Sequence, residues 1–253
     1  MDKARFKQAC DKVINRGNPS PGGIGTLGEK TLHSVLKNYL EPDEARHEVS
    51  VGRYVADIAA ENGIVEIQTR RFNALRQKLA FFLEQSDVTV VYPVAETKWL
   101  IWIDEATGEV TKRRKSPKTG KPYEVFYELY SIRGLLRHPR LRLRIVMLEL
   151  EEYRTLNGWS RDKRKGSTRY DRIPVDIAGE LFINSADDYI KLIPEDLGNC
   201  FTVKDFKKAT GLSLHAAGLA LNVLHSVGAV VRTGKKGNAY VYERSLLRRA
   251  RHP

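Results

Sequence analysis

The sequence predicts a mixed α+β protein, with a central mixed sheet flanked by helices and a small C-terminal module of two helices and a hairpin. Three observations lead there. Residues 3–104 read in order as two helices, three short strands, a third helix and further strands, a layered arrangement rather than an alternating doubly wound one. Asn62-Gly63 lies between two runs of alternating apolar residues, the strongest short-range signal for a hairpin. After Pro194 the texture changes to short helices around Gly211 and a hairpin with a basic tip.

Composition narrows the class. Of 253 residues, 42% are hydrophobic and 29% charged, which suits a globular chain with a sizeable core. Lys and Arg number 43 against 31 Asp and Glu, a formal net charge of +12 that favours polyanionic partners, nucleic acid before membrane. Cys10 and Cys200 are far apart and fit no metal-ligand spacing, so no disulfide framework is expected and a reducing cytoplasm is the expected location. The N-terminus lacks the apolar core of a signal peptide, and no run approaches the ~20 apolar residues of a membrane span.

The elements follow in order. Residues 3–16 read as a helix stopped by Gly17-Asn18-Pro19, and residues 20–25 as a loop. From Thr26 an amphipathic helix carries Leu32, Val35, Leu36, Tyr39 and Leu40 on one stripe and stops before Pro42. Strands are expected at 46–51, 53–60 and 64–69, a helix at 71–85 with Phe72, Leu75, Leu79 and Phe82 inward, and strands at 88–93 and 99–104. Residues 112–121, KRRKSPKTGK, read as a basic loop or a phosphate-contacting arm, 124–137 as a helix, and 141–153 as a strand. Residues 158–172, GWSRDKRKGSTRYDR, combine arginine with aromatics, suiting either backbone contact or a polar linker. Helices at 203–209 and 213–227, with a hairpin over 229–243, look like a winged helix-turn-helix. The second of those helices exposes His215, Gly218, Asn222 and Ser226 and has no Lys or Arg, so Lys235 and Lys236 of the hairpin are the expected phosphate contacts. The expected domains are therefore 1–156, a basic linker or extension over 157–192, and 193–253.

The segment RYVADIAAENGIVEIQTRR, residues 53–71, carries the chemistry. With Asn62-Gly63 as a two-residue loop, Ala59 faces Glu66 and Asp57 faces Gln68, so Asp57, Ala59, Glu66 and Gln68 share one face. Asp57 and Glu66 are then diagonal neighbours roughly 7–8 Å apart, within reach of one cation. Two carboxylates and the carbonyl of Ile67 suit Mg²⁺ (or Mn²⁺), which takes oxygen ligands and keeps several waters. Glu29 has two readings: Thr26-x-x-Glu29 matches a capping box, and the same carboxylate can lean toward the hairpin.

Glu29 on a helix, Asp57, and Glu66-x-Gln68 on a following strand resemble the PD-(D/E)XK, or restriction-endonuclease-like, nuclease superfamily, and so does the order helix, three strands, helix, strand over residues 20–105. The resemblance implies a metal-dependent endonuclease acting on DNA, with RNA not distinguished. It implies Glu29, Asp57, Glu66 and Gln68 as catalytic residues, and Asp57, Glu66 and Ile67 as holders of Mg²⁺ or Mn²⁺. Gln68 departs from the pattern, since most members carry lysine there; glutamine orients water by hydrogen bonding but supplies no charge. Arg70, Arg71 and Lys78 are candidates for that charge and, with Arg113, Arg114, Lys115, Lys235 and Lys236, for nucleic-acid contact. A lone site of this kind cuts one strand at a time, so double-strand cleavage requires a homodimer or a partner protein. The alternatives are a non-catalytic DNA-binding or regulatory protein with a degenerate core, and, by analogy of architecture, the endonuclease subunit of a transposase-like complex.

Overall fold

The computed structural model describes residues 1–16, 30–156 and 166–245. Glu29, Thr26 and its capping box, the loop at 20–25 and the basic run 158–165 lie outside the described residues. The fold is mixed α+β, a central mixed sheet flanked by helices. Among the described residues no helix is long and apolar enough to cross a membrane.

Helices α1 (Lys3–Arg16) and α2 (Lys30–Leu40) precede a meander of β1 (His47–Val51), β2 (Tyr54–Ala60) and β3 (Gly63–Ile67). Helix α3 (Phe72–Gln85) leads to β4 (Val88–Asp104), the short β5 (Arg114–Lys115), α4 (Val125–Ser131), β6 (Leu141–Leu156) and β7 (Ser167–Ile183). The sheet runs β1-β2-β3-β4-β6-β7 with β5 paired to β4. Pairing is antiparallel through the meander, parallel for β3–β4 and β4–β6, and antiparallel for β6–β7.

Each face of the sheet buries its own core. Leu32, Val35, Leu36 and Tyr39 of α2 pack with Phe6 of α1 over Ile58, Ile67, Val91, Val146, Leu148 and Leu150. Phe72, Leu75, Leu79 and Phe82 of α3 pack with Val125, Phe126 and Leu129 of α4 over Val88, Val90, Leu143 and Ile145. The i, i+3, i+4 and i+7 spacing of these apolar positions holds each helix against the sheet, each buried side chain contributing about 1.5–3 kcal/mol.

The hairpin differs from expectation in its loop. Ala60 pairs with Gly63, Ala59 with Ile64 and Ile58 with Val65, so Glu61-Asn62 form the turn. Gly63 belongs to the strand because the neighbouring chain needs it there. Its φ is +122°, and a Cβ would stand 2.5 Å from the carbonyl oxygen of Asp87, which accepts from the amide of Ile64. A two-residue shift preserves the faces of a strand. The paired register ends at Ile58–Val65; just beyond it the Asp57 amide donates to Glu66 Oε1, so the two carboxylates are direct neighbours.

Four other expectations are corrected. Residues 88–104 form one strand, with an irregularity between Ala95 and Thr97, because β6 pairs along its whole length. The α-helix expected over 124–137 ends at Ser131, after a 3-10 turn at Pro122–Glu124. The basic loop at 112–121 contributes β5, whose Arg114 and Lys115 pair with Leu100 and Trp99. The expected linker contains β7, a full member of the sheet; three register shifts against β6 hide its alternation in the sequence.

A 3-10 segment, Ala186–Leu192, leads to β8 (Cys200–Thr202), α5 (Val203–Thr210), α6 (Leu214–Val227), β9 (Val230–Lys236) and β10 (Ala239–Arg244). The three strands form a second sheet in the order β8-β10-β9. Thr202 and Asp205 form a capping box on α5, and Ser213 caps α6, which ends at Gly228 with φ +84°. This module does not keep a core to itself. Phe126 and Phe206 meet edge to face at 6.2 Å, and Ala217, Leu221 and Leu224 belong to the cluster beneath α3 and α4.

Candidate functional site

Asp57 and Glu66 occupy adjacent antiparallel strands, and the backbone locks them together. Asp57 donates its amide to Glu66 Oε1 at 3.3 Å, while Asp57 Oδ2 accepts from the amide of Ile67 at 2.7 Å. The helices on either side then reach in. Nε2 of His33 on α2 lies 3.1 Å from Asp57 Oδ2, and Nζ of Lys78 on α3 donates to Glu66 Oε2 at 2.5 Å. The lysine stem rests near the Phe82 ring, one turn further along α3, with Nζ 5.7 Å from its centroid. The result is a polar chain, His33–Asp57–Glu66–Lys78, crossing the sheet between two helices.

Glu66 is only 2% exposed. Burial, then the nearby Asp57 carboxylate, push its pKa up to about 7 against the opposing pull of Lys78. Burial also raises Asp57, but the His33 hydrogen bond and charge, the Ile67 amide and Lys78 outweigh it and hold that carboxyl below its ordinary value. Two carboxylates side by side are thus driven apart in proton affinity, as expected where like charges share a buried site. A cation between them relieves that conflict.

The donor set available to a metal is small. Among the described residues no group of three or more His, Cys, Asp or Glu is placed to hold a metal ion. Asp57, Glu66 and the backbone at Ile67 supply hard oxygen donors of the kind Mg²⁺ or Mn²⁺ accepts, with water and substrate oxygens filling the remaining positions. In chemistry these oxygens suit such an ion, while Glu66 Oε2 already accepts from Lys78 and Asp57 Oδ2 from the Ile67 amide.

The other predicted residues fall into three places. Gln68 lies just past the end of β3, and its amide nitrogen donates to the carbonyl of Arg70 at 2.5 Å, so its donor is directed into its own loop. Arg70 and Arg71 are exposed; Arg71 is the N-cap of α3 with φ 61°, not the first residue of its helical face. Arg113 stacks over Trp99, 4.2 Å from the ring centroid, and pairs with Glu151 at 3.0 Å. Arg114 and Lys115 form β5 on the flank of β4. Lys235 and Lys236 lie on the exposed tip of the β9–β10 hairpin, Lys235 above Tyr240 at 5.2 Å.

Lys78 was legible as a spare cation, but its bond to Glu66 was not. His33 was passed over, although its place beside the Leu32–Leu36 stripe puts it near whatever α2 covers. Also unread was Glu152, which continues the inward parity of Val146, Leu148 and Leu150 along β6. A carboxylate at an inward strand position is itself a signal.

Fold and site together define a mixed α+β protein with a cross-strand carboxylate pair, Glu66 buried and Asp57 half-buried. The chain belongs to the family described as "Domain of unknown function (DUF8091)", whose model matches residues 30–184, more than half of the chain. That segment runs from the first residue of α2 to just beyond β7 and contains His33, Asp57, Glu66 and Lys78; β8 to β10 lie outside it. The chain is also similar to an uncharacterized protein of Treponema pallidum (strain Nichols), 29% identical over 228 residues and covering 87% of each chain. No solved structure matches it.

Proposed function

We propose that this protein is a metal-dependent endonuclease of the PD-(D/E)XK type that hydrolyses DNA phosphodiester bonds in a reducing, cytoplasmic setting. The observation that carries the reading is the Asp57–Glu66 pair on adjacent strands, Glu66 buried and Asp57 half-buried, with Lys78 at its edge. The succession α2, β1–β3, α3, β4 supports it as well, because it sets a helix on each side of the acidic hairpin.

In this reading Asp57 and Glu66 hold Mg²⁺ or Mn²⁺ with the Ile67 carbonyl beside them. When bound, such an ion polarises the scissile phosphate and lowers the pKa of an attacking water. His33 fixes the orientation of Asp57. Lys78 holds Glu66 in place and supplies the positive charge that Gln68 lacks, at the position where charge builds on phosphorus. Gln68 then positions water through its carbonyl oxygen, since its amide nitrogen is engaged by Arg70. The C-terminal module, read as a winged helix, places the substrate through Lys235 and Lys236, and a second copy or a partner protein provides the second cut.

A second reading is favoured by the same ion pair. Lys78 already neutralises Glu66, which also suits a non-catalytic DNA-binding or regulatory protein on a nuclease-like core. Incubating the purified protein with supercoiled plasmid and Mg²⁺ or Mn²⁺, against an EDTA control, separates the two. Nicking that requires the metal supports the endonuclease; salt-sensitive DNA binding with no nicking under either metal supports the regulator.

A further inference from the structure

Beyond the acidic pair, the strands β4, β6 and β7 continue as a three-stranded extension holding a second charged cluster. At its centre is Glu152, which is completely buried. Four cations converge on this one carboxylate. Arg154 donates through Nε to Oε1 at 2.7 Å, while Lys98 Nζ, Arg169 Nε and Arg172 Nε lie 3.5, 3.5 and 3.6 Å from Oε2. The arrangement is cross-strand: Glu152 pairs with Arg172 and Arg154 with Arg169 on β7, and Leu150 pairs with Lys98 on β4. The Glu152 Oε2 and Arg172 Nε atoms are buried without a hydrogen-bond partner, so the cluster is not a closed, fully satisfied ion-pair network.

A buried ion pair that merely joined strands would need one cation, and extra cations around it repel one another. The four side chains keep between 21 and 35% of their surface exposed above a carboxylate that has none. The outer faces of Lys98, Arg154 and Arg172 therefore present clustered positive charge to solvent over a fixed template. Asp171, next to Arg172 on β7, accepts from the Arg172 amide and from Thr31 Oγ1 on α2. Two residues along, His33 holds Asp57. The start of α2 thus ties the cationic cluster to the acidic pair, and both lie within the family-matched segment.

We propose that Lys98, Arg154 and Arg172 form a clamp for the phosphodiester backbone of nucleic acid, with Glu152 beneath them as the positioning residue that sets their spacing. The clamp rests on the reading of the protein as a nucleic-acid enzyme and adds a binding site to it. Guanidinium groups suit this task because their planar forks match phosphate oxygens and their charge does not titrate. Trp102, with the Arg154 guanidinium 5.7 Å from its ring, gives the clamp an aromatic flank.

The test is equilibrium binding of a fluorescein-labelled 30-base-pair duplex in EDTA, over a range of salt, by the full chain. Each phosphate contact contributes about 0.9 to the slope of log K against log salt. Arg154→Gln/Arg172→Gln should lower that slope by up to about 2 and weaken binding tenfold or more at moderate salt. Lys98→Gln, which removes one of the longer contacts, should lower the slope by about 1 and keeps the test open if the double variant does not fold. Arg46→Gln, which removes a cation near the far end of the hairpin, should leave the slope unchanged. Millimolar inorganic phosphate should not displace the duplex. Folded clamp variants with the wild-type slope overturn the proposal, as does a wild-type protein that binds no duplex at low salt or releases it to phosphate. Because binding is read without metal, a wild type that binds but never cleaves defeats the endonuclease reading while leaving the clamp standing.

Discussion

Lys78 Nζ and Glu66 Oε2, 2.5 Å apart, join the middle of α3 to β3 and put a cation against the more buried member of the carboxylate pair. The positive charge beside Glu66 thus comes from helix α3 and not from position 68, where Gln68 stands just past the end of β3. Lys78→Met keeps the stem against Phe82 and removes only the charge. Plasmid cleavage by that variant should fall about 10²-fold, with Lys78→Arg recovering part of the loss. Unchanged cleavage in Lys78→Met would make the lysine a structural counter-ion and nothing more.

The raised pKa of Glu66 makes a signed prediction for stability in EDTA. Its folded value, about 7, lies above its ordinary 4.5, so the folded state binds this proton more tightly than the unfolded chain. The stabilisation is fully present below pH 4.5 and is lost as pH rises through 7. Glu66→Gln, which cannot ionise, should escape the loss. Urea midpoints should show the variant gaining on wild type between pH 5 and 8, and a constant difference across that range would contradict the assignment.

The hairpin shows how far the sequence reads and where it stops. Apolar alternation located β2 and β3 and set Asp57 beside Glu66, but the one face it gave them does not describe their partners: Asp57 meets His33 on α2 and Glu66 meets Lys78 on α3, on opposite sides of the sheet. The loop itself differs: Gly63 answers to the carbonyl of Asp87, just before β4, a long-range contact that no local turn rule contains. The same holds for β7. Its bulges against β6 break the period of two, so a sheet strand reads as a polar linker. His33 and Lys78 were visible as residues but not as partners, since their pairing depends on how two helices straddle the sheet.

The single core shared with the C-terminal module predicts its folding behaviour. Phe206 is fully buried against Phe126 and Phe201. Phe206→Ala should cost about 3–5 kcal/mol, and the loss should be felt by the whole chain. Denaturation followed by fluorescence of the three tryptophans, Trp99, Trp102 and Trp159, all of which precede the C-terminal module in the sequence, and by far-ultraviolet dichroism should give coincident transitions shifted together. A dichroism transition that shifts while the tryptophan signal stays in place would show that the module unfolds by itself.

Cleavage of supercoiled plasmid by Asp57→Asn, compared with wild type in Mg²⁺ and in Mn²⁺, tests the account of the acidic pair most directly. The substitution keeps the side chain's shape, so its hydrogen bonds to Ile67 and His33 have an isosteric replacement, and it removes the charge that would hold the ion. The account predicts that metal-dependent nicking disappears while duplex binding in EDTA persists. Nicking by Asp57→Asn at the wild-type rate in either metal would contradict it.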